Sequence, residues 1–223
     1  MPTPATFARA GIACGLLAPV WWILCLFLPG LFFPGYAFTT DFISALGASD
    51  SPVAGFMVFA GFGLTGVLYV AFALAAGWQL RRDPWVWGAV LLLLLAAGAR
   101  IATGMYPCDP GCAPVHESNT QETHRQFATA GYALMMAAAA GWAALGARQP
   151  GLKPVMPWAI GGITWGAVCL VLMLVQPQWQ GLFQRLAGIA LNVWVLVLAL
   201  CLWREHATVA TPPSPQTSRR RRR

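Results

Sequence analysis

Six long apolar stretches follow one another along the chain, and short polar segments separate them. An α-helix needs about 20 apolar residues to cross roughly 30 Å of hydrocarbon, and each stretch is long enough to do so. Runs such as residues 90–97 show none of the alternation that β-barrel strands require, which favours helices. The predicted spans are residues 10–33, 53–79, 85–104, 127–147, 155–175 and 182–203.

The composition leaves few other classes of protein open. The chain of 223 residues is 58% hydrophobic and 9% charged, with a mean hydropathy of +0.61. A soluble core cannot absorb so much apolar surface, which excludes a soluble enzyme, a disulfide-rich secreted domain and a disordered linker. We therefore predict an all-α integral membrane protein, a six-transmembrane-helix bundle over residues 1–206. Residues 207–223 are rich in Thr, Pro and Ser and end in arginines, and are predicted to form a disordered basic cytoplasmic tail.

The distribution of charge between alternate loops predicts the orientation of the chain. Eleven of the fourteen Lys and Arg residues fall on the side of the chain termini, whereas Arg100, Arg125 and Arg185 fall toward the other side. The positive-inside rule then places both termini in the cytoplasm, with the protein in the cell (inner) membrane. Loops 34–52, 105–126 and 176–181 are predicted to be extracytoplasmic. Because five of the cations form the run 219–223, the net charge of +7 does not indicate nucleic-acid binding.

Two of the six cysteines, Cys108 and Cys112, flank a Pro-Gly turn in the second extracytoplasmic loop. An oxidising compartment favours a disulfide over free thiols. A metal site would lack further thiols nearby, and a redox-active pair usually has two residues between its cysteines, so both are weaker alternatives. Of the three histidines, His206 lies on the cytoplasmic side, which excludes bis-His haem ligation and a three-His zinc site. We predict a structural disulfide, no metal and no cofactor.

Polar side chains occur inside the apolar stretches near the extracytoplasmic side. Arg100 lies about one turn below that interface in the third span, Arg185 lies at the start of the sixth, and Asn192 lies two turns deeper. Ionisable groups at such depth are costly, and they usually pair or line a polar cavity. Either arginine alone could snorkel to the interface. Two at the same leaflet, with acidic residues in the neighbouring loops, favour a site.

The extracytoplasmic loops supply candidate chemistry. Residues 39–47 have the pattern of a short helix, with Asp41 and Ser44 on one face. His124 begins the fourth span, where a helix N-terminus favours the neutral imidazole that can act as a base or ligand. Asp41 or Asp109 could orient His124 for acid–base chemistry. The alternative, a histidine that only caps the helix with a hydrogen bond, remains open.

Together these motifs carry a resemblance to a known family. Residues 41–47, residues 106–112, Ser118 with His124, and residues 181–185 occur in the order found in a bacterial and archaeal membrane-protein family, domain of unknown function 998. The resemblance spans about residues 10–203, and Tyr106 stands where the family commonly has Phe. It implies no established reaction. The family pattern falls on Ser44, Gly47, Cys108, Asp109, Cys112, Ser118, His124, Gly181 and Arg185.

Three functions fit these features, and whether the protein is an enzyme stays open. The first is binding or processing of an anionic lipid or lipid-phosphate, because guanidinium groups donate to phosphate in a bidentate fork. A non-catalytic assembly or sensor subunit is the second, and a small transporter without a mid-membrane carboxylate is the least favoured. The expected partners are membrane lipids. Small-residue helix faces such as Gly162 and Gly166 could also serve a homo-oligomer, but packing within one bundle is the favoured interpretation. The expected ligand-binding residues are Ser44, Arg100, Ser118, Arg185 and Asn192, and the expected catalytic residues are Asp41, Asp109 and His124.

Overall fold

Long helices account for most of the chain in the structure, a computed structural model that describes residues 4–112 and 117–210. No strand occurs in those ranges, and six helices are long and apolar enough to cross a membrane. The all-α membrane class is therefore confirmed. The helices are α1 (Pro4–Phe27), α2 (Ala54–Gln79), α3 (Trp85–Met105), α4 (Asn119–Arg148), α5 (Val155–Val175) and α6 (Gln180–Ala210).

Helix boundaries differ from the predicted spans mainly where the first or last turn is polar. Helix α4 begins at Asn119, eight residues before the predicted apolar span at 127. Ser118 caps it, since its hydroxyl oxygen accepts a hydrogen bond from the Gln121 N–H at 3.1 Å. Helix α6 continues through Ala210 into the segment predicted to be disordered, and the remainder of that segment, 211–223, lies outside the described residues.

The six helices form a ring in chain order. Each helix packs against the next one along the chain, and α6 closes the ring by packing against α1. One end of the bundle, here called the loop side, carries residues 28–53, 106–112 and 176–179. The other end carries both ends of the described chain. Toward that second end the ring is filled by fully buried apolar residues, including Phe72, Trp142, Trp194 and Leu198.

Small residues let the helices approach one another within the chain. A Cβ added at Gly162 would lie 2.6 Å from the Ala190 carbonyl oxygen, and one at Gly166 would lie 2.8 Å from the Leu191 side chain. Both glycines therefore pack α5 against α6. This GxxxG pair serves packing inside the bundle.

A short turn and backbone hydrogen bonds connect the three segments of the loop side. The predicted helix at 39–47 is a shorter 3₁₀ turn at Ile43–Gly47, and Asp41 lies before it. Backbone bonds join this first loop to the other two: the Ser49 N–H donates to the Cys108 carbonyl and the Leu182 N–H donates to the Thr39 carbonyl, each at 3.1 Å. The loop side is therefore one packed layer over the ring.

Helix α2 contains a wide segment near the loop side. Residues Met57–Leu64 adopt π-helical hydrogen bonding before the helix returns to α geometry at Thr65. Such segments are rare and are frequent at functional sites. Phe62, inside this segment, lines the cavity described next.

Candidate functional site

A part-open cavity lies between the helices toward the loop side, and the space inside it and at its open mouth together amounts to about 620 Å³. No Asp or Glu is found among the described residues that line it, so Arg100 is its one formally charged side chain. The apolar lining includes Trp22, Ile43, Phe62, Met135 and Leu191. The polar lining comprises Ser44, Arg100, Thr103, His124, Tyr132, Gln184 and Asn192.

Arg100 reaches this cavity from α3. Its guanidinium carbon lies 4.0 Å from the centroid of the Trp22 ring, which places the cation over an aromatic face. Its Nε atom is buried without a hydrogen-bond partner, and no carboxylate in residues 4–112 or 117–210 pairs with the side chain. The cavity therefore holds a cation that has no carboxylate partner among the described residues and whose Nε–H has no acceptor there.

His124 enters the cavity from α4. Its Nδ1 lies 2.7 Å from the Tyr106 carbonyl oxygen and 3.1 Å from that of Thr103, at the end of α3. Carbonyl oxygens only accept, so Nδ1 carries the proton and Nε2 of the neutral ring carries a lone pair. The side chain is 5% exposed, and Nε2 has no partner among the residues described.

Arg185 lies outside the cavity lining and its donors are occupied. It is 1% exposed, and one Nη donates to the hydroxyl of Tyr36. Burial raises the pKa of Tyr36, which keeps its proton and donates to the Phe42 carbonyl at 2.9 Å. At 2.8–3.1 Å, Arg185 also donates to the backbone carbonyl oxygens of Leu26, Phe38, Asp41 and Gly181. Arg185 thus fastens the first loop to α1 and α6.

The two candidate acids make local contacts instead of facing the arginines. The Asp41 carboxylate accepts hydrogen bonds from the Ala37 N–H at 2.8 Å and the Thr40 hydroxyl at 3.0 Å. The Asp109 carboxylate accepts from Ser118, through the N–H at 2.9 Å and the hydroxyl at 2.7 Å. Neither acid lines the cavity, and Ser118 also lies outside it.

The disulfide between Cys108 and Cys112 is present, with 5.2 Å between the two Cα atoms. Both cysteines are buried against Ala45 and Ala48 of the first loop. Their sulfur atoms and a ring nitrogen of His124 all lie within 4.8 Å of one another. Metal binding requires thiolates, so in the disulfide form this trio is not a metal centre. The disulfide braces the loop beside His124.

Ser44 and Asn192 both line the cavity together with Arg100. Asn192 is 1% exposed, accepts a hydrogen bond from the Tyr69 hydroxyl and donates to the Gly188 carbonyl. Its principal groups are therefore engaged by the chain. Ser44 contributes a hydroxyl from within the 3₁₀ turn Ile43–Gly47 of the first loop.

Comparison with known protein families identifies the family of the chain. The family described as "Protein of unknown function (DUF998)" matches residues 16–201. The chain belongs to the DUF998 family. No curated protein and no solved structure matches it. Every cavity residue, from Trp22 to Asn192, falls inside the matched range, so the cavity lies within the DUF998 region of the chain.

Sequence reasoning missed several contributors to the cavity of the DUF998 chain. Trp22 supplies the aromatic face under Arg100, and its indole Nε1 is buried without a partner among the described residues. Gln184 accepts a hydrogen bond from the Ile43 N–H at 2.6 Å and so fixes the first loop over α6. Gln184 lies inside the motif at 181–185, which could have singled it out. An aromatic residue in an apolar span carries no comparable signal.

Lowering the pH should release Asp109 from its contact with Ser118. The two hydrogen bonds from Ser118 hold the pKa of Asp109 below its usual range. The stabilisation is present above the unfolded value of about 3.9 and disappears as the pH falls through the lower folded value. We expect the Ser118 and Gln121 amides to lose protection in hydrogen exchange below about pH 4 in wild type. Asp109→Asn should lose that pH dependence, whereas Asp50→Asn, at an exposed carboxylate, should keep it; an identical profile in Asp109→Asn contradicts the assignment.

Proposed function

We propose that this DUF998 protein binds an anionic amphiphile, with the acid group beside Arg100 and the apolar chain along the cavity wall. The observation that carries the proposal is the Arg100 side chain, which has a buried, unpartnered Nε and no carboxylate partner in a cavity without Asp or Glu among the described residues. A cation held at membrane depth without a counter-charge is costly. A bound anion would supply that charge and accept hydrogen bonds in a bidentate fork.

The rest of the cavity supports an amphiphile over a small inorganic anion. Its wall of Phe62, Met135 and Leu191 is apolar, as is usual for sites that hold the hydrocarbon part of a ligand. An acyl or prenyl chain would cover this wall, whereas a hydrated ion would leave it in contact with water. We further propose that the loop side is extracytoplasmic, because the cation excess lies on the opposite side. The ligand would then come from the outer leaflet of the inner membrane.

Arg100→Gln tests the proposal directly. In native mass spectrometry, we expect the purified wild type to bind phosphatidic acid and phosphatidylmethanol, but not diacylglycerol with the same acyl chains. Because the variant removes the charge-assisted hydrogen bonds, affinity for both anionic lipids should fall about tenfold to hundredfold. The matched control is Arg125→Gln, since Arg125 is exposed and paired with Glu117 and Glu122.

Two results would contradict the proposal. One is equal retention of the anionic lipids by wild type and Arg100→Gln. The other is an equal loss in Arg125→Gln, which would point to surface charge instead of the cavity. The melting temperature of Arg100→Gln should stay close to that of wild type, because removal of a buried cation without a carboxylate partner offsets the lost contact with the Trp22 ring. A loss of binding in a folded variant is then a property of the cavity.

A further inference from the structure

We infer that the anion bound in this cavity carries a hydrogen-bond donor of its own, and that it is a phosphomonoester at the end of an apolar chain. The inference rests on the proposed function and names the class of ligand. The observation behind it is the orientation of His124, which the function proposed above does not use. That orientation leaves a buried acceptor lone pair on Nε2 without a partner among the described residues.

The hydrogen bonds at the far side of the ring fix what His124 offers. Nδ1 contacts two carbonyl oxygens, those of Thr103 and Tyr106, which cannot donate. The proton of the neutral ring is therefore on Nδ1, and Nε2 can only accept. Protonation of Nε2 would place a second cation in the cavity with Arg100, with no carboxylate among the described lining residues to offset it. The neutral ring is accordingly the form in the empty cavity.

The unpartnered groups of the cavity thus form a defined pattern. Arg100 Nε and Trp22 Nε1 are donors that lack acceptors, and His124 Nε2 is an acceptor that lacks a donor, all buried. A ligand that completes the pattern presents anionic oxygens to the donors and an O–H to the imidazole. A fatty-acid carboxylate or a phosphodiester without hydroxyl groups has only acceptors at neutral pH, so it leaves Nε2 without a hydrogen-bond donor.

A phosphomonoester offers a hydrogen-bond partner to each of these three groups. Its second pKa is about 6, so it carries a proton on one oxygen at little cost near neutral pH. The protonated oxygen donates to His124 Nε2 while the charged oxygens accept from Arg100 and Trp22. If the proton passes to Nε2, the imidazolium donates to the phosphate dianion instead, and the number of protons and hydrogen bonds is unchanged. Two sources supply this chemistry in a membrane: a diacylglycerol phosphate and a polyprenyl phosphate.

The test compares lipids that differ by one donor. Wild type is titrated with phosphatidic acid, and with phosphatidylmethanol of the same acyl chains, in native mass spectrometry. We expect about a tenfold preference for the monoester, the value of one good hydrogen bond at a buried group. A parallel titration with a polyprenyl phosphate distinguishes the sources, because the natural chain should bind more tightly than the other.

Two variants test whether His124 causes the preference for the monoester. They also distinguish a failure of this inference from a failure of the proposed function. His124→Asn keeps an N–H near the position of Nδ1 and removes the Nε2 acceptor, so the monoester preference should fall to about onefold while anionic lipids still bind. Arg100→Gln should weaken both lipids alike. Equal binding of the two lipids by wild type, with Arg100 still required, overturns the phosphomonoester and leaves the proposed function standing. Binding that is independent of Arg100 overturns both. Since the first comparison uses wild type alone, it holds even if His124→Asn does not fold.

Discussion

Arg185→Met should lower the free energy of unfolding by about 3 kcal/mol or more, one of the largest effects expected in this chain. The buried guanidinium donates to four backbone carbonyl oxygens and to the Tyr36 hydroxyl. Methionine has similar bulk and no donor, so two buried and three half-buried acceptors lose their donor. The melting temperature in detergent, followed by tryptophan fluorescence, measures the effect.

Arg185→Lys is the informative companion variant. Lysine keeps the charge and three donors but loses the planar geometry that reaches several carbonyls at once, so its loss should be intermediate. Arg100→Gln should lose much less stability, because Arg100 Nε has no partner among the described residues and the contact over the Trp22 ring is worth only about 0.5–2 kcal/mol. A Met variant that melts within about 2 °C of wild type would show that the carbonyl contacts contribute nothing to stability.

The contrast between these two arginines shows where sequence reasoning stops. Both lie near the same end of the bundle, and both were assigned to ligand binding on that ground. The structure gives Arg185 a set of backbone carbonyls and leaves Arg100 open to the cavity. Backbone carbonyls are present at every residue, so no pattern of residue types announces them as partners. The arrangement of the first loop decides between the two roles.

The fold was easier to predict because span length and hydropathy act locally. Each apolar stretch became a membrane-length helix, including the Ala-rich α4. Its polar opening turns at 119–126 escaped the hydropathy pattern, since a helix outside hydrocarbon can be polar. The contact between α6 and α1 joins the last and the first helix, and no local sequence pattern predicts it.

The acidic residues illustrate the same limit. Asp41 and Asp109 were expected to orient His124, yet backbone carbonyls at the end of α3 hold its Nδ1. The carboxylates instead satisfy N–H and hydroxyl groups a few residues away. Asp is a frequent cap and turn residue, so its presence in a polar loop is compatible with either role. His124 and Ser44 do reach the cavity, as does Asn192, because their helices or turns carry them inward.

Gly181→Ala is the second substitution from which a large effect is expected. Gly181 is buried at the start of α6, where the first loop crosses the helix. A Cβ there would lie 2.9 Å from the Phe38 carbonyl oxygen and still closer to that of Asp41. Both are backbone atoms, so the loop must move as a unit. Overpacking of this kind costs about 1–3 kcal/mol.

The same displacement should also weaken ligand binding, which distinguishes Gly181→Ala from an ordinary packing defect. Residues 38 and 41 lead directly into the turn that places Ile43 and Ser44 over the cavity. We expect a lower melting temperature together with reduced retention of phosphatidic acid in native mass spectrometry. Gly161→Ala is the matched control, because a Cβ at that exposed glycine of α5 meets open space and should leave stability unchanged or raise it by up to about 1 kcal/mol. If Gly181→Ala melts like this control and binds lipid like wild type, the first loop is not held against α6 as tightly as the contact geometry requires.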